Sequence, residues 1–455
     1  MRKICLVTLL FIPLLAKEAV YKNLDLNRAI AILKSENLEI NIARFDEKIK
    51  RFEHKIAKSY NYGKLDFIQN ALRSNDAGNV FGFKLQSREA TFGDFGFSDF
   101  LTPPAGTTNI LDVEPRDLNY PKARNHFQTK LHYEVPLYTG GKLEQYSKIT
   151  QALEKLSKLD TKKILSQKIF ELKKSYYDIY LLDSYLKNLK IIEKNMNRLE
   201  DMARSMIEEG YAKKIDLLEV QSKKANVVRM IKKAQANKEL VYHFLSFLLN
   251  AKVESIVGNY QRVNPEFLDT KKILEKNIDI RKAKEGLRIS KMAIELQKAS
   301  SRPQIGAFLE YGSSDNTPFN EFFEKDSYTA GVQFKWTLFD GGASRMSVQK
   351  ARVENLKVQS QLSLAQRGIK LQVEKIKTEI KSFDFDIDSL QKEIELTRAI
   401  YKNYLGRYQE KLVSINDVII KQSLEIEKVL KLKEIQNSRV TKILELEKIA
   451  NGEIL

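Results

Sequence analysis

Phe127–Lys148 reads FQTKLHYEVPLYTGGKLEQYSK, and Tyr328–Gln349 reads YTAGVQFKWTLFDGGASRMSVQ. The two stretches align without gaps at a displacement of 201 residues. The same displacement carries EEGYAKKIDLLEVQS (Glu208–Ser222) onto QEKLVSINDVIIKQS (Gln409–Ser423). Two separate matches at one offset identify an internal duplication, which has to be settled before any motif is interpreted. Nearer the start, NLEINIAR (Asn37–Arg44) meets NIDIRKAK (Asn277–Lys284) at a displacement of 240. The difference of 39 residues places an insertion in the first half, within the Gly-, Asn- and Pro-rich region 61–126. The expected organisation is a first repeat over 17–262 and a second over 263–455. Each consists of one helix, a strand hairpin (302–339 in the second repeat), one very long helix and one more helix.

Within the quoted stretches the side chains alternate. Tyr328, Ala330, Val332, Phe334, Trp336 and Leu338 fall on one face, opposite Thr329, Gly331, Gln333, Lys335 and Thr337. In the first repeat Phe127, Leu131, Tyr133, Val135 and Leu137 oppose Gln128, Lys130, His132 and Glu134. A period of two is that of a strand with one greasy and one polar side. A soluble sandwich also produces such strands, but the charged set favours a membrane barrel, with an aromatic-rich face toward lipid. Lys130, His132, Glu134, Gln333 and Lys335 are then expected to line a wet lumen. PQIGAFLEYG (Pro303–Gly312) supplies the partner strand in the second repeat, and the partner in the first begins near Lys64. About four strands per chain cannot close on themselves, and lipid tolerates no open edge, so several chains must pool their strands. Three chains are the economical number, though symmetry alone also permits two or four.

After Thr139-Gly140-Gly141 and Asp340-Gly341-Gly342 the period changes from two to three and a half, with Thr139 and Asp340 suited to cap the helices that follow. Ile369, Val373, Ile376, Ile380, Phe383, Ile387, Leu390 and Ile394 recur at alternating spacings of four and three, and Tyr401, Tyr404 and Tyr408 extend the stripe. Leu182, Tyr185, Leu189, Ile192, Met196, Leu199, Ala203 and Met206 do the same in the first repeat. These are coiled-coil seams. An unbroken helix over 142–208 spans about 100 Å at 1.5 Å per residue. The fold class expected is mostly α with a β-barrel portion, the long helices building an α-barrel.

Composition agrees. Among 455 residues there are 9 prolines and 19 glycines, few breaks for so long a chain. Residues 1–16, with a basic start and an apolar middle from Ile4 to Leu15, have the form of a secretory signal peptide. The sole cysteine, Cys5, lies inside it, which leaves the mature chain without a thiol for a disulfide, a metal or a nucleophile. Lys and Arg outnumber Asp and Glu by 77 to 59, for a net charge of +18. Those charges are spread along helix faces among glutamates, and an exported chain does not meet nucleic acid, so solvated helix faces are the better account. His54, His126, His132 and His243 show no metal-ligand spacing, and no glycine loop of the phosphate-binding kind is present. Neither an enzyme nor a cofactor is expected.

VPLYTGGKLEQ and WTLFDGGASR, each at a strand-to-helix turn of a duplicated chain, resemble the PLFDGG signature of the TolC-like outer-membrane efflux proteins. The insertion segment NVFGFKLQSREATFGDFGF (Asn79–Phe97) is also similar to one that many of these proteins carry. The resemblance covers nearly the whole mature chain. It implies a homotrimer in outer-membrane lipid extending into the periplasm, with a twelve-stranded barrel and a twelve-helix tunnel. It further implies a passive duct that meets a periplasmic adaptor (membrane fusion) protein and a proton- or ATP-driven inner-membrane pump.

In that family the closed entrance lies where each long helix turns into the next. Tyr408 matches the tyrosine that holds the inner coil closed, Asp216 the carboxylate it engages, and Asp417 an aspartate of the constriction ring. The chain departs from the pattern at Val413, where the family has a gate arginine, and at Ile420, where a second ring aspartate stands. Arg407 or Lys411 is the available replacement cation, and Lys411 also occupies the position of Gly210 in the first repeat. Asp216 and Asp417 have a plainer reading as helix caps, and Tyr408 as core. The rival from another class is an exported structural coiled coil or adhesin, which requires no amphipathic strand pairs. Within the family, a type I protein-secretion duct is not separated from a small-molecule efflux duct.

Overall fold

The computed structural model describes residues 19–258 and 269–450. The signal segment 1–16 and the repeat boundary at 262/263 lie outside the described residues. The elements, in chain order, are helices α1 (Leu26–Glu36) and α2 (Leu38–Ser59), strands β1 (Lys64–Ser74) and β2 (Arg124–Tyr138), and helices α3 (Lys142–Glu208) and α4 (Lys214–Leu249). The second repeat follows with α5 (Thr270–Lys276), α6 (Ile278–Ala299), β3 (Gln304–Asp315), β4 (Asp326–Lys335), α7 (Ala343–Gln409) and α8 (Ile415–Ile449). Both long helices contain 67 residues, and their ends are displaced by the same 201 residues as the sequence motifs.

The contacts divide the chain into two compact units, one of which comprises Ile49–Lys155 with Gly286–Val358. It holds one antiparallel sheet in the order β1-β2-β3-β4. The first-repeat hairpin pairs Lys64 with Glu134 and Ser74 with Arg124, so the partner strand begins at Lys64 and fourteen residues of the region 61–126 are strand. The rest of that region carries short helices, among them Ala77–Gln86. Strand β4 stops at Lys335, short of the alternating run, and the Trp336 indole N–H donates to the Ser301 carbonyl at 3.2 Å.

Each strand-to-helix turn depends on two glycines with positive φ, at +65° and +89° for Gly140 and Gly141 and at +67° and +89° for Gly341 and Gly342. A Cβ on Gly140 would lie 2.7 Å from the Ala299 carbonyl oxygen. Glycine is therefore demanded there by conformation and by space. Thr139 Oγ1 accepts from the Leu143 amide at 3.2 Å and Asp340 Oδ2 from the Ser344 amide at 2.9 Å, which caps both long helices.

The rest of the described residues form the helical unit. Two of its cores are related by the duplication. In one, Leu33, Leu172, Ile179, Leu245 and Leu248 are fully buried; in the other, Ile273, Val373, Ile380, Leu446 and Ile449 take the equivalent places. The opening helix of each repeat, expected to be continuous, is instead two helices that meet at an asparagine. Asn37 ends α1 through its amide, which donates to the Leu33 carbonyl, and starts α2 through its side-chain oxygen, which accepts from the Ile40 amide at 3.0 Å. Its Nδ2 donates to the Leu248 carbonyl at 2.8 Å, a group that the C-terminal turn of α4 leaves unpaired. Asn277 repeats the device on Ile280 at 3.1 Å and on Ile449 at 3.0 Å.

Both asparagines are buried, so truncation strands a donor and an acceptor away from water. Asn277→Ala is expected to cost about 1–3 kcal/mol. The measurement is a thermal or urea midpoint against wild type; an unchanged midpoint contradicts the bridging role.

Candidate functional site

Directly opposed residues of an antiparallel pair share a face, so the register fixes which side chains lie together. Lys130 stands opposite Gly312, His132 opposite Glu310 and Glu134 opposite Phe308, while Gln333 and Lys335 oppose Gly306 and Gln304. All five residues expected to line a lumen thus lie on one face of the sheet. Glu310 organises them: its Oε1 is 3.1 Å from Lys130 Nζ and 2.9 Å from His132 Nδ1. Asp66 lies on the same face, opposite His132, and pairs with Lys64 at 2.8 Å. Glu310 and Asp66 escaped the sequence analysis, although Glu310 has the right parity within PQIGAFLEYG. The other face presents Leu65, Phe67, Leu131, Leu309, Tyr328, Val332 and Phe334, all exposed.

The tips of the helical hairpins form the second part of the site. Tyr211 N–H donates to Met206 O and Gly210 N–H to Ile207 O; Leu412 N–H donates to Arg407 O and Lys411 N–H to Tyr408 O. These paired bonds close both helices by one motif, whose turning residue must be left-handed. Gly210 meets this at φ +82°, and Lys411 adopts +62°, strained for a residue with a side chain by about 1–2 kcal/mol.

Asp216 and Asp417 each begin the following helix. Asp216 Oδ2 accepts from the Lys213 amide at 2.7 Å. Asp417 Oδ2 accepts from the Ser414 hydroxyl at 2.7 Å and amide at 3.1 Å, and the Ser414 hydroxyl in turn accepts from the Asp417 amide at 3.2 Å. Those bonds, with Lys421 and Arg407 nearby, hold the Asp417 carboxyl below the ordinary aspartate range. The cap is thus a role that both carboxylates perform within the chain.

Tyr408 is buried among Leu199, Ala203, Ile415 and Val418. Burial, and secondarily the negative charge of Asp216, push its phenol upward. Its hydroxyl makes no hydrogen bond among the described residues, so the structure brings Tyr408 into the field of Asp216 without joining them. Val413 packs against this core, and Arg407 lies over the Tyr404 ring at 5.6 Å. Lys411 crosses between the tips: its Nζ is 3.7 Å from Glu209 Oε2 and 3.4 Å from the centroid of Tyr211. Glu209 and Tyr211 were not singled out from the sequence, where only a cation at a glycine position marked the place.

Above the tips, an ion pair joins each long helix to its successor. Glu200 on α3 accepts from Lys224 at 2.9 Å, Gln221 at 3.0 Å and Arg204 at 2.7 Å, and these bonds, Lys224 foremost, hold its carboxyl at about 2. In the second repeat the pair is Arg398 with Glu425, at 3.0 Å. A carboxyl depressed in the folded state adds stability that is full above its unfolded pKa and is lost as pH falls through the folded one. Glu200→Gln is therefore expected to lower the melting midpoint at pH 7, with the gap from wild type narrowing between pH 5 and pH 2. Melts at pH 7 and pH 3 test this; a gap that stays constant excludes the charge as its source.

Among the described residues no His, Cys, Asp and Glu cluster is placed to hold a metal ion, and no helix is long and apolar enough to cross a membrane. Residues 270–451 match the family described as outer membrane efflux protein. No curated protein matches the chain. Several solved structures do. VceC from Vibrio cholerae has a TM-score of 0.76 at 12% identity, covering 94% of this chain and 96% of its own. The CmeC channel of Campylobacter jejuni scores 0.75 at 15% identity, covering 94% and 86%. The open-state MtrE channel of Neisseria gonorrhoeae scores 0.75 at 13% identity, covering 94% and 89%. At such identities the structures speak for the fold, while the family match speaks for the second repeat. Residues 270–451 thus carry the likeness to the outer membrane efflux protein family, and the chain as a whole has the fold of these solved outer-membrane channels.

Proposed function

We propose that the chain is one subunit of a homotrimeric duct that sits in the outer membrane and reaches into the periplasm. In this reading it passively conducts substrates delivered by an inner-membrane pump through a periplasmic adaptor, in a tripartite efflux or type I secretion assembly. The observation that carries the reading is the four-stranded sheet with one exposed apolar face and two end strands, β1 and β4. Antiparallel order throughout the sheet means that β4 of one copy can pair antiparallel with β1 of the next, and three copies give twelve strands. The helices support the same boundary. Leu38, Ile42, Phe45, Ile49, Phe52 and Ile56 run along α2 at alternating spacings of four and three, each more than half exposed. Helix α7 carries exposed Met346, Val353, Leu364 and Leu371 on compatible spacing. Helix α2 leads into edge strand β1 and α7 leaves edge strand β4, so each seam lies on a helix that is next in the chain to a sheet edge. Burying a side chain of this size contributes about 1.5–3 kcal/mol.

An exported rod or adhesin gains nothing from a lipid-compatible sheet. The polar face with Lys130, His132, Glu134, Gln333 and Lys335 then lines the barrel, and the tips with Asp216, Tyr408 and Asp417 form the periplasmic entrance. Lys411 takes the part of the gate cation by tying one tip to the other, since separating them must break its contacts with Glu209 and Tyr211.

Phe52→Glu on the α2 seam is expected to convert the detergent-extracted trimer to monomer, read as mass by light scattering with detergent subtracted; a wild-type mass that is not three chains refutes the assembly itself. Lys411→Glu places a carboxylate against Glu209 and is expected to raise conductance of the resting pore in planar bilayers several-fold, with the melting midpoint changed by only a few degrees. Wild-type conductance in that variant removes Lys411 from the gate.

A further inference from the structure

In the helical unit a cavity of about 450 Å3 lies among α3, the α5–α6 junction and α8. Five of its lining residues are cations, Lys162, Lys173, Lys276, Arg281 and Lys448, against a single carboxylate, Glu447. That carboxylate is already joined to Lys173 in a mostly buried ion pair. The floor is apolar, including Ile169, Phe170 and Leu444, and the Lys448 ammonium rests 4.6 Å from the centroid of the Phe170 ring.

The fold itself does not demand these cations, as the duplication shows. The repeat-related positions hold Ser363 for Lys162, Glu374 for Lys173, Glu36 for Lys276, Asn41 for Arg281 and Phe247 for Lys448. The lysine-rich composition accounts for a cation at any one of them, but not for five in one repeat-spanning groove and none at the five counterparts. The counterpart positions belong to the corresponding helices of the other repeat, so the helices themselves do not require the cations.

Cations around an apolar floor match a ligand with an anionic head and a hydrocarbon body. A bare inorganic anion would leave the floor wet, and an uncharged hydrocarbon would desolvate the ammonium groups without compensation. The volume is in the range of about 300–1,000 Å3 that small-molecule sites occupy. We propose that this groove binds an anionic amphiphile, a single-chain carboxylate or sulfonate of the size of dodecanoate, at a site separate from the conduit. A molecule bound there touches α3 of the first repeat and α6 and α8 of the second, and so ties the repeats together.

The test is native mass spectrometry of the full chain in non-ionic detergent, titrated with dodecanoate. Dodecanol and dodecyltrimethylammonium serve as neutral and cationic comparisons. Saturable binding of one dodecanoate per chain is expected, with affinity at least tenfold above either comparison. The double variant Lys276→Glu/Arg281→Glu, whose side chains are exposed, should lose at least tenfold, as should Lys162→Glu on the opposite wall. Glu substitutions at the counterparts Asn41 and Ser363 should leave the affinity unchanged. The proposal is overturned if dodecanol binds equally well, if the charge reversals have no effect, or if the groove takes an acidic peptide but not dodecanoate.

Discussion

A backbone amide or carbonyl left without a partner in hydrocarbon costs several kcal/mol, and a sheet of four strands offers two edges full of them. Much else in the chain is arranged around that constraint. The strands alternate because one face meets an apolar medium and the other a polar one. The glycine pairs at 140–141 and 341–342 follow from it too, because each strand passes directly into a helix that must leave in a fixed direction. The exposed seams of α2 and α7 belong to the same boundary as the strand edges. The sheet has two unpaired edges and the helices have exposed apolar seams, and each calls for a partner of its own.

Duplication divides the remaining work. The buried cores of the two repeats share five equivalent positions, and each is pinned by an asparagine that ends one helix, starts another and holds the end of a third. Where the repeats differ, the difference has a local reason. Lys411 stands where the first repeat has Gly210, at a turn that tolerates a side chain only at a cost, and that side chain reaches the other turn.

Much of this was legible in the sequence because it is written as periodicity. Both ends of α3 and the two strand-to-helix turns follow from the change in period and the cap residues. Alternation puts Lys130, His132 and Glu134 on one side of their strand and Gln333 and Lys335 on one side of theirs, and the register joins the two sets on a single face. The hinge at Asn37 was not legible, because NLEINIAR continues a helical pattern and only the distant Leu248 carbonyl makes a break favourable. Strand β1 was obscured by a loop-like composition, and its register is set by β2, about sixty residues away in sequence. The partners of Lys411 and the role of Glu310 are through-space facts between segments that no local pattern connects. Asp216 and Asp417 illustrate the converse: sequence placed them at the tips, and the structure shows the capping bonds they already make.

The ion pairs above the tips carry a consequence for assembly of the chain. Positions 224 and 425 are equivalent by duplication, yet one is lysine and the other glutamate, and each meets an opposite charge on its own long helix. Near the tips, a chain with two near-copies of the same hairpin is open to exchange of the returning helices, α8 taking the place of α4 beside Glu200 and α4 that of α8 beside Arg398. In that arrangement Glu200 would face Glu425, and Arg398 would face Lys224. The charge inversion thus sets like charges against each other in the exchanged arrangement and opposite charges in the observed one, a distinction that alike apolar seams do not make.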